Sequence, residues 1–363
     1  MSSTELVSRW IRISFDELEF LREAVRTPSH ESVDGFREMI FQVLEDHEIE
    51  AEVDSSGNLI ASKGSGRPHL VLNSHMDTVS PHVEFREDEE KIYGRGSCDA
   101  KGPLASMLKA FVEADMGEGR LSLALTPDEE TESRAIGELG LDPDAVVVGE
   151  PTGLDACNAS RGRFEVEIKV EGENAHAAEP ESGVNAVSEA SKIINLLKNF
   201  DSGSSDEELG RPTLTPTIVS GGKSSNVVPD TCKVRIDRRS VPGESMEEFM
   251  ERLEMFIRNI DTPAEVSVDR AANNSPLLGA FRTSEDSELV NELEEHADGE
   301  LRPFTAVCEA SYFAPEIPTA VFGPGVLKDG EGGVAHSKRE YVEKEEVKKA
   351  GKTAVSVAES FLS

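Results

Sequence analysis

A chain of 363 residues is long for a single hydrophobic core, so length favours one large folding unit joined to a smaller one. Apolar residues make up 37% of it, and no apolar run approaches the roughly 18 residues of a membrane-spanning helix. The 71 Asp and Glu against 37 Lys and Arg leave a formal charge of −34, spread along the chain, and such a field excludes nucleic acid and anionic membrane surfaces as expected partners.

Spread acidity keeps a protein hydrated where salt is high, and salt screens its self-repulsion, so a halophilic source is expected. Thermal unfolding followed from low to molar KCl should then show a midpoint that rises with salt; a maximum at low salt would contradict this. The opening MSSTELVSRWIRISFDELEFL lacks a basic start followed by an uninterrupted apolar core, which predicts no secretory leader and a cytoplasmic location. Cys98, Cys157, Cys232 and Cys308 are far apart with no C-x-x-C, which predicts buried or semi-buried free thiols.

Residues 15–27 and 33–47 carry apolar residues at helical intervals, with Ser32 placed to cap the second helix. Ala51–Val53 and Asn58–Ser62 bracket a turn at Ser56-Gly57, and His30 and His47 fall in this packing region with a structural role expected for each. The apolar Leu70-Val71-Leu72 reads as a buried strand that ends by presenting His75 and Asp77. A His and an Asp so spaced suit a metal ligand and the group that orients it, or a strand-end histidine bonded to a neighbour. In Tyr93-Gly-Arg-Gly-Ser-Cys-Asp-Ala-Lys-Gly-Pro103 the glycines allow a tight turn but lack phosphate-loop spacing. Leu104–Ala114 continues as a helix, so Asp99 is either a capping aspartate or a ligand.

Leu121–Leu125 is a second buried strand, ending in Thr126-Pro-Asp-Glu-Glu-Thr131, whose three adjacent carboxylates must be solvated or neutralised by a cation. Ala145–Val148 is a third, ending at Glu150. Open α/β sheets place their sites outside the carboxyl ends of strands, so these groups can converge on one crevice. From about Arg161 the texture changes: Phe164–Val170, helix 184–197, a polar excursion over 201–210, Leu214–Ser220, Cys232–Arg238, helix 246–260 and Ala264–Val268 give the order β-α-β-β-α-β of a ferredoxin-like unit. Within it His176 stands between strand and helix, where a helix-entry hydrogen bond and a substrate contact are both open. The first unit then resumes with a helix over 285–296, strands at Thr305–Val307 and Thr319–Phe322, a glycine-rich loop from Gly323 to His336, and a closing helix over 343–362. The expected boundaries are 1–160 and 273–363 for a catalytic domain and 161–272 for an inserted one.

His75, Asp99, Glu130, Glu150 and His336 comprise two imidazoles and three carboxylates without a thiolate. Such a set suits Zn²⁺, with Co²⁺ or Mn²⁺ as alternatives. One shared carboxylate with two ligands on each side would hold two ions about 3.5–4 Å apart and uses all five residues.

The motifs SHMDTV (74–79), GRGSCDAKG (94–102), PDEE (127–130), GEPT (149–152), NAHAA (174–178), NVVPD (226–230), DRRSVPGE (237–244) and GPG…AH (323–336) occur in one order over nearly the whole chain. In this the chain resembles the M20 metallopeptidase family, which includes acetylornithine deacetylases and succinyl-diaminopimelate desuccinylases. The resemblance implies an α/β fold: a mixed-sheet, di-metal aminopeptidase-like catalytic domain with an inserted ferredoxin-like lid or dimerisation domain, working as a homodimer. It implies His75 and Glu150 on one metal, Glu130 and His336 on the other, and Asp99 between them. Asp77 would orient His75, and Glu129 would be the general base that takes a proton from an acidified water and returns it to the departing nitrogen. His176 would reach the oxyanion from a partner subunit, Asn226 and Arg239 would bind substrate, and the Asp99–Ala100 peptide would be cis. Cys308-Glu309-Ala310 resembles the deacetylase segment more than the desuccinylase one, so Glu309 is expected either to face a small N-acyl amino acid or, in so acidic a chain, to face solvent. A desuccinylase and a carboxypeptidase or dipeptidase are the alternatives. A non-catalytic binding protein on the same fold would lack a ligand or Glu129, and neither is missing.

Overall fold

The computed structural model describes residues 14–271 and 278–363. Among these, a nine-stranded mixed sheet forms the larger layer, in the order Ala51–Val53, Leu59–Gly64, Arg120–Thr126, His69–His75, Ala145–Val148, Thr319–Val321, Ala156–Ser160 and Phe281–Arg282, with Leu301–Phe304 also paired to Ala156–Ser160. The inner strands His69–His75, Arg120–Thr126, Ala145–Val148 and Thr319–Val321 run parallel, so their carboxyl ends share one edge. Their continuous apolar runs have a direct cause, because successive side chains alternate between two buried faces. Leu70, Leu72, Leu121, Leu123 and Val147 pack into a core with the helices Glu17–Arg26, Lys101–Glu113 and Lys344–Phe361. Val71, Ala124, Val146 and Val148 pack on the other side with Phe304, Phe313 and Val321.

The segment from Gly162 to Arg270 builds its own four-stranded antiparallel sheet, ordered Thr213–Gly221, Thr231–Ser240, Gly162–Glu171, Glu265–Arg270, with helices Ala186–Leu197 and Met246–Arg258 on one face. Alternation sets its two sides. Phe164, Val166, Ile168 and Val170 enter a separate core with Val234, Ile236, Phe249 and Leu253, while Arg163, Glu165 and Glu167 point the other way. This is the expected ferredoxin-like unit.

Several expectations shift. Ser32 does accept the Asp34 N–H at 3.2 Å, although regular helix begins only at Asp34. The strand expected at Thr305–Val307 lies at Leu301–Phe304; the chain leaves the sheet after Phe304, and Ala306 and Val307 line a cleft instead. The strand Ala156–Ser160 and the small sheet of Arg86–Glu87, Lys91–Tyr93 and Tyr341–Glu343 were not anticipated. All four cysteines are buried and free. The expected boundary at 272–273 and the first thirteen residues, with the reading made on them, lie outside the described residues.

Candidate metal centre

His75 is the last residue of its strand and is 1% exposed, so its ring must be satisfied internally. Its Nδ1 lies 3.0 Å from the Asp77 carbonyl oxygen and 3.3 Å from the Asp77 carboxylate, which holds the proton on Nδ1 and turns Nε2 inward. That Nε2 lies 3.2 Å from Asp99 Oδ1 and 3.9 Å from Glu150 Oε1. On the other side His336 Nε2 lies 3.2 Å from Asp99 Oδ2 and 2.8 Å from Glu130 Oε1. Asp99 thus turns one oxygen to each imidazole. It does not cap the following helix, which starts at Lys101 with no side-chain cap. The Asp99–Ala100 peptide is cis, and His336 has a left-handed φ of 61°, a conformation that non-glycine residues adopt mainly where surrounding contacts enforce it.

The three carboxylates of Asp128-Glu129-Glu130 have separate surroundings. Asp128 accepts the N–H groups of Arg134 and Ala135 and so closes its own turn. Asp77 accepts the N–H groups of Glu129 at 3.1 Å and Glu130 at 3.0 Å, a second task beside facing His75. Potential ligand atoms come within 4.8 Å of one another in three overlapping groups: His75, Asp99 and Glu150; Asp99, Glu130 and His336; and His75, Glu129 and Glu130.

Electrostatics test whether these residues fit cations. Burial alone would strip His75 of its proton, yet Asp77 and Asp99, with the fields of Glu150 and Glu129, raise its pKa well above the usual imidazole range. Hydrogen bonds to Asp99 and Glu130 raise His336 to about 10. Burial disfavours charge on Asp99, but bonds from His336 and His75 outweigh it and hold the carboxyl low. Burial, together with neighbouring carboxylates, pushes Glu129 and Glu150 well up and Glu130 up. The cluster holds more carboxyl groups than its two imidazoles can balance, so burial forces protons onto some of them unless a cation takes their place, and its donors are all nitrogen and oxygen. It fits one or two divalent cations.

A clasp that sequence reasoning missed joins the two loops carrying Asp99 and His336. Glu340 is fully buried, pairs with Arg95, and accepts the N–H groups of Gly96 at 2.9 Å, Cys98 at 3.3 Å and Asp99 at 3.2 Å. Arg95 in turn donates to the carbonyls of Ser337 and His336. The available signal was a lone arginine between Gly94 and Gly96, with an acid four residues after His336.

The cluster opens onto a cleft of about 370 Å³ that is also lined by Arg163 and Arg239 of the inserted sheet and by Phe304, Val307 and Leu327. Gly162 marks the crossing into that sheet: a Cβ there would lie 2.3 Å from both Ala280 N and Ser240 Oγ, so only glycine fits. His176 and Asn226 are brought to each other rather than to the cluster. Both are exposed, with Ala177 N–H donating to the Asn226 carbonyl at 3.0 Å, and neither lines the cleft of its own chain. His47 has the structural place expected, its Nδ1 on the Val43 carbonyl at 2.8 Å, and the His30 ring stacks against His82.

Of the two expectations for Glu309, the solvent-facing one is overturned: the residue is 1% exposed. Its Oε2 accepts from Thr126 Oγ1 at 2.9 Å and Asn73 Nδ2 at 3.2 Å, behind the ends of the two central strands. Burial, only partly offset by His75, raises its pKa to about 8. The folded protein therefore keeps a proton that the unfolded chain loses near pH ~4.3, and stability falls as pH rises from about 4.5 to about 8. Gln at 309 can keep both bonds without the charge. Glu309→Gln is expected to gain denaturant midpoint over wild type progressively between pH 5 and pH 8; a pH-independent difference would contradict this.

Sequence comparison places the chain among metal-dependent hydrolases. Residues 158–265 match the peptidase dimerisation domain of the M20 family. The chain is 31% identical to an uncharacterised metallohydrolase of Methanocaldococcus jannaschii, over 84% of this chain and 86% of that protein. It is 35% identical to a protein of Pyrobaculum aerophilum named as a LysW-lysine/LysW-ornithine hydrolase, over 65% and 69%. With the acetylornithine deacetylase of Myxococcus xanthus it shares 30% over 80% of each chain. The fold superposes on aminopeptidase PepT of Bacillus cereus with a TM-score of 0.76 at 20% identity, covering 96% and 98%. It superposes on a dinuclear metal-binding M20 peptidase of Bacillus subtilis with 0.72 at 16%, covering 95% and 97%. A chain related over most of its length to such hydrolases, with their fold and with a nitrogen and oxygen cluster at the sheet edge, belongs to the M20 family and is a metal-dependent hydrolase of amide or peptide bonds.

Proposed function

We propose that this protein cleaves the amide bond of a small N-acyl amino acid, in the manner of an acetylornithine deacetylase. The observation that carries the reading is the pair of imidazole–carboxylate half-sites sharing Asp99, opening onto a cleft that also holds the guanidinium of Arg239. His75 and Glu150 would hold one divalent ion and Glu130 and His336 a second, with Asp99 placed to serve both; Zn²⁺ is the first choice, with Co²⁺ or Mn²⁺ as substitutes. Such ions, when bound, acidify a water and polarise a carbonyl. Glu129 accepts the proton as general base and delivers it to the departing nitrogen. Asp77 fixes the His75 tautomer and, through two backbone N–H groups, the positions of Glu129 and Glu130.

Arg239 grips the substrate carboxylate through its planar fork. His176 and Asn226, exposed and side by side, serve the cleft of a second copy in a homodimer, where His176 stabilises the oxyanion. The catalytic unit comprises 1–160 and 273–363 and the inserted unit 161–272, in a halophilic, cytoplasmic setting.

Two relatives' names share ornithine and differ in what is joined to it, acetyl in one and LysW in the other. Ornithine or lysine is therefore our choice for the released amine, and a LysW-linked substrate is the second reading. Turnover is to be compared on N-acetylornithine, N-succinyl-diaminopimelate, LysW-linked ornithine and unacylated dipeptides. Preference for N-acetylornithine supports the first reading, and preference for dipeptides defeats both. Chelation is expected to abolish turnover, with recovery on adding back Zn²⁺, Co²⁺ or Mn²⁺.

A further inference from the structure

Arg163 and Arg239 stand directly opposite one another on adjacent antiparallel strands of the inserted sheet, on the face turned away from its core. Like charges so placed, with Cβ atoms about 4.5–5.5 Å apart, repel and normally disfavour the pairing. Here one acid is shared between them. Asp237 Oδ1 accepts from Arg239 Nε at 2.8 Å, and Asp237 Oδ2 accepts from Arg163 Nε at 3.1 Å. Glu165 takes one further bond, from Arg163 Nη2 at 2.7 Å. Arg239 is thus held by its inner nitrogen, and Arg163 by its inner nitrogen and one terminal nitrogen. Among the described residues, no hydrogen bond or ion pair engages Arg163 Nη1 or either terminal nitrogen of Arg239.

In a chain with 71 acids and 37 bases, an arginine readily finds carboxylates, and open guanidinium edges on a cleft wall are out of keeping with that excess. The placement is also firm. Arg163 is pinned on one side by its pairing with Arg239 and on the other by exchanged backbone bonds with Leu278, at 2.6 and 3.2 Å, and Leu278 too lines the cleft. The two arginines and the metal-type cluster line one cleft.

We infer that Arg163 forms a second anion subsite beside Arg239, so that the preferred substrate carries a carboxylate on its acyl group as well as on its amino acid, as a succinyl or γ-glutamyl amide does. This rests on the N-acyl amino acid reading and changes it only in the acyl group. One arginine answers the carboxylate on the amine side of the scissile bond, and the other answers the carboxylate on the acyl side. Asp237 fixes their spacing, so a neutral acyl group leaves Arg163 without its anion.

The test uses carboxylate and carboxamide isosteres in two series: N-succinyl-ornithine against N-succinamoyl-ornithine, and Glu-Ala against Gln-Ala. With the metal-loaded enzyme, kcat/KM for the anionic member is expected to exceed that of its isostere by about 10- to 100-fold, mostly through KM. Arg163→Gln should bring that ratio close to one, and Arg163→Lys, which keeps the charge but not the fork, should retain part of it. A wild-type ratio near one overturns the subsite. So does an equal loss on both members in Arg163→Gln, which marks a purely structural role, with Arg163→Lys showing whether the fold tolerates change there. If only the dipeptides are cleaved, the N-acyl reading falls while the Glu-Ala and Gln-Ala pair still decides the role of Arg163.

Discussion

Glu129→Gln is expected to lower kcat by about 10²- to 10⁴-fold while the protein still binds its full complement of divalent metal. Gln keeps the shape and the backbone N–H that Asp77 accepts, and removes only the capacity to take and return a proton. An amide nitrogen leaves poorly unless protonated, so loss of the shuttle strikes the chemical step and should leave KM nearly unchanged. The geometry also offers an opposing outcome. Glu129 belongs with His75 and Glu130 to one of the potential ligand groups. If it were a ligand rather than a base, metal stoichiometry measured by elemental analysis would fall together with turnover, and the assignment of roles would have to be reversed.

The second large effect is expected at the clasp. Arg95→Met leaves the Glu340 carboxylate in a buried site without its counter-charge and frees the carbonyls of His336 and Ser337. Removing one partner of a buried pair typically costs about 3–5 kcal/mol. Because the pair ties the Asp99 loop to the His336 loop, metal affinity should fall as well, by about 10- to 100-fold. Glu340→Gln should act in the same direction by weakening its bonds to the N–H groups of Gly96, Cys98 and Asp99. The double variant should lose less than the sum of the singles, since the two residues act as one unit. Urea denaturation and metal titration of the three variants check this. Unchanged midpoints together with unchanged metal affinity would show that the clasp holds nothing.

The first prediction rests on how an apolar strand hands over to a polar tip. The runs Leu70–Leu72, Leu121–Leu125 and Ala145–Val148 were legible because a strand buried on both faces reads as a nearly continuous apolar run, and the one polar residue inside them, Ser122, is satisfied by Ser62 and His69. His75, Glu129, Glu130 and Glu150 follow those points of departure, so their arrival at one edge was foreseeable from parallel-strand geometry alone. The ferredoxin-like order was legible for the opposite reason, a strict alternation that marks a sheet with one open face. Ala156–Ser160 escaped notice because ACNAS has neither signal; it is a strand only because Thr319–Val321, Phe281–Arg282 and Leu301–Phe304 surround it.

Residue types and their order were thus enough to identify the family, the two-part fold and the nitrogen- and oxygen-bearing side chains that gather at one sheet edge, since each depends on local pattern or on the chemistry of a side chain. Local pattern alone could not decide whether Asp99 capped a helix or faced two imidazoles, and only the family resemblance set it between them, because the same carboxylate suits both and the path of the chain selects one. It could not see that Asp77 holds Glu129 and Glu130 by their backbone, that Glu340 joins loops separated by some 240 positions, or that Glu309 is sealed behind the strands. Nor could it see Arg163 set opposite Arg239. These depend on strand register and on contacts between distant segments, which local propensity does not encode and which only the assembled tertiary structure decides.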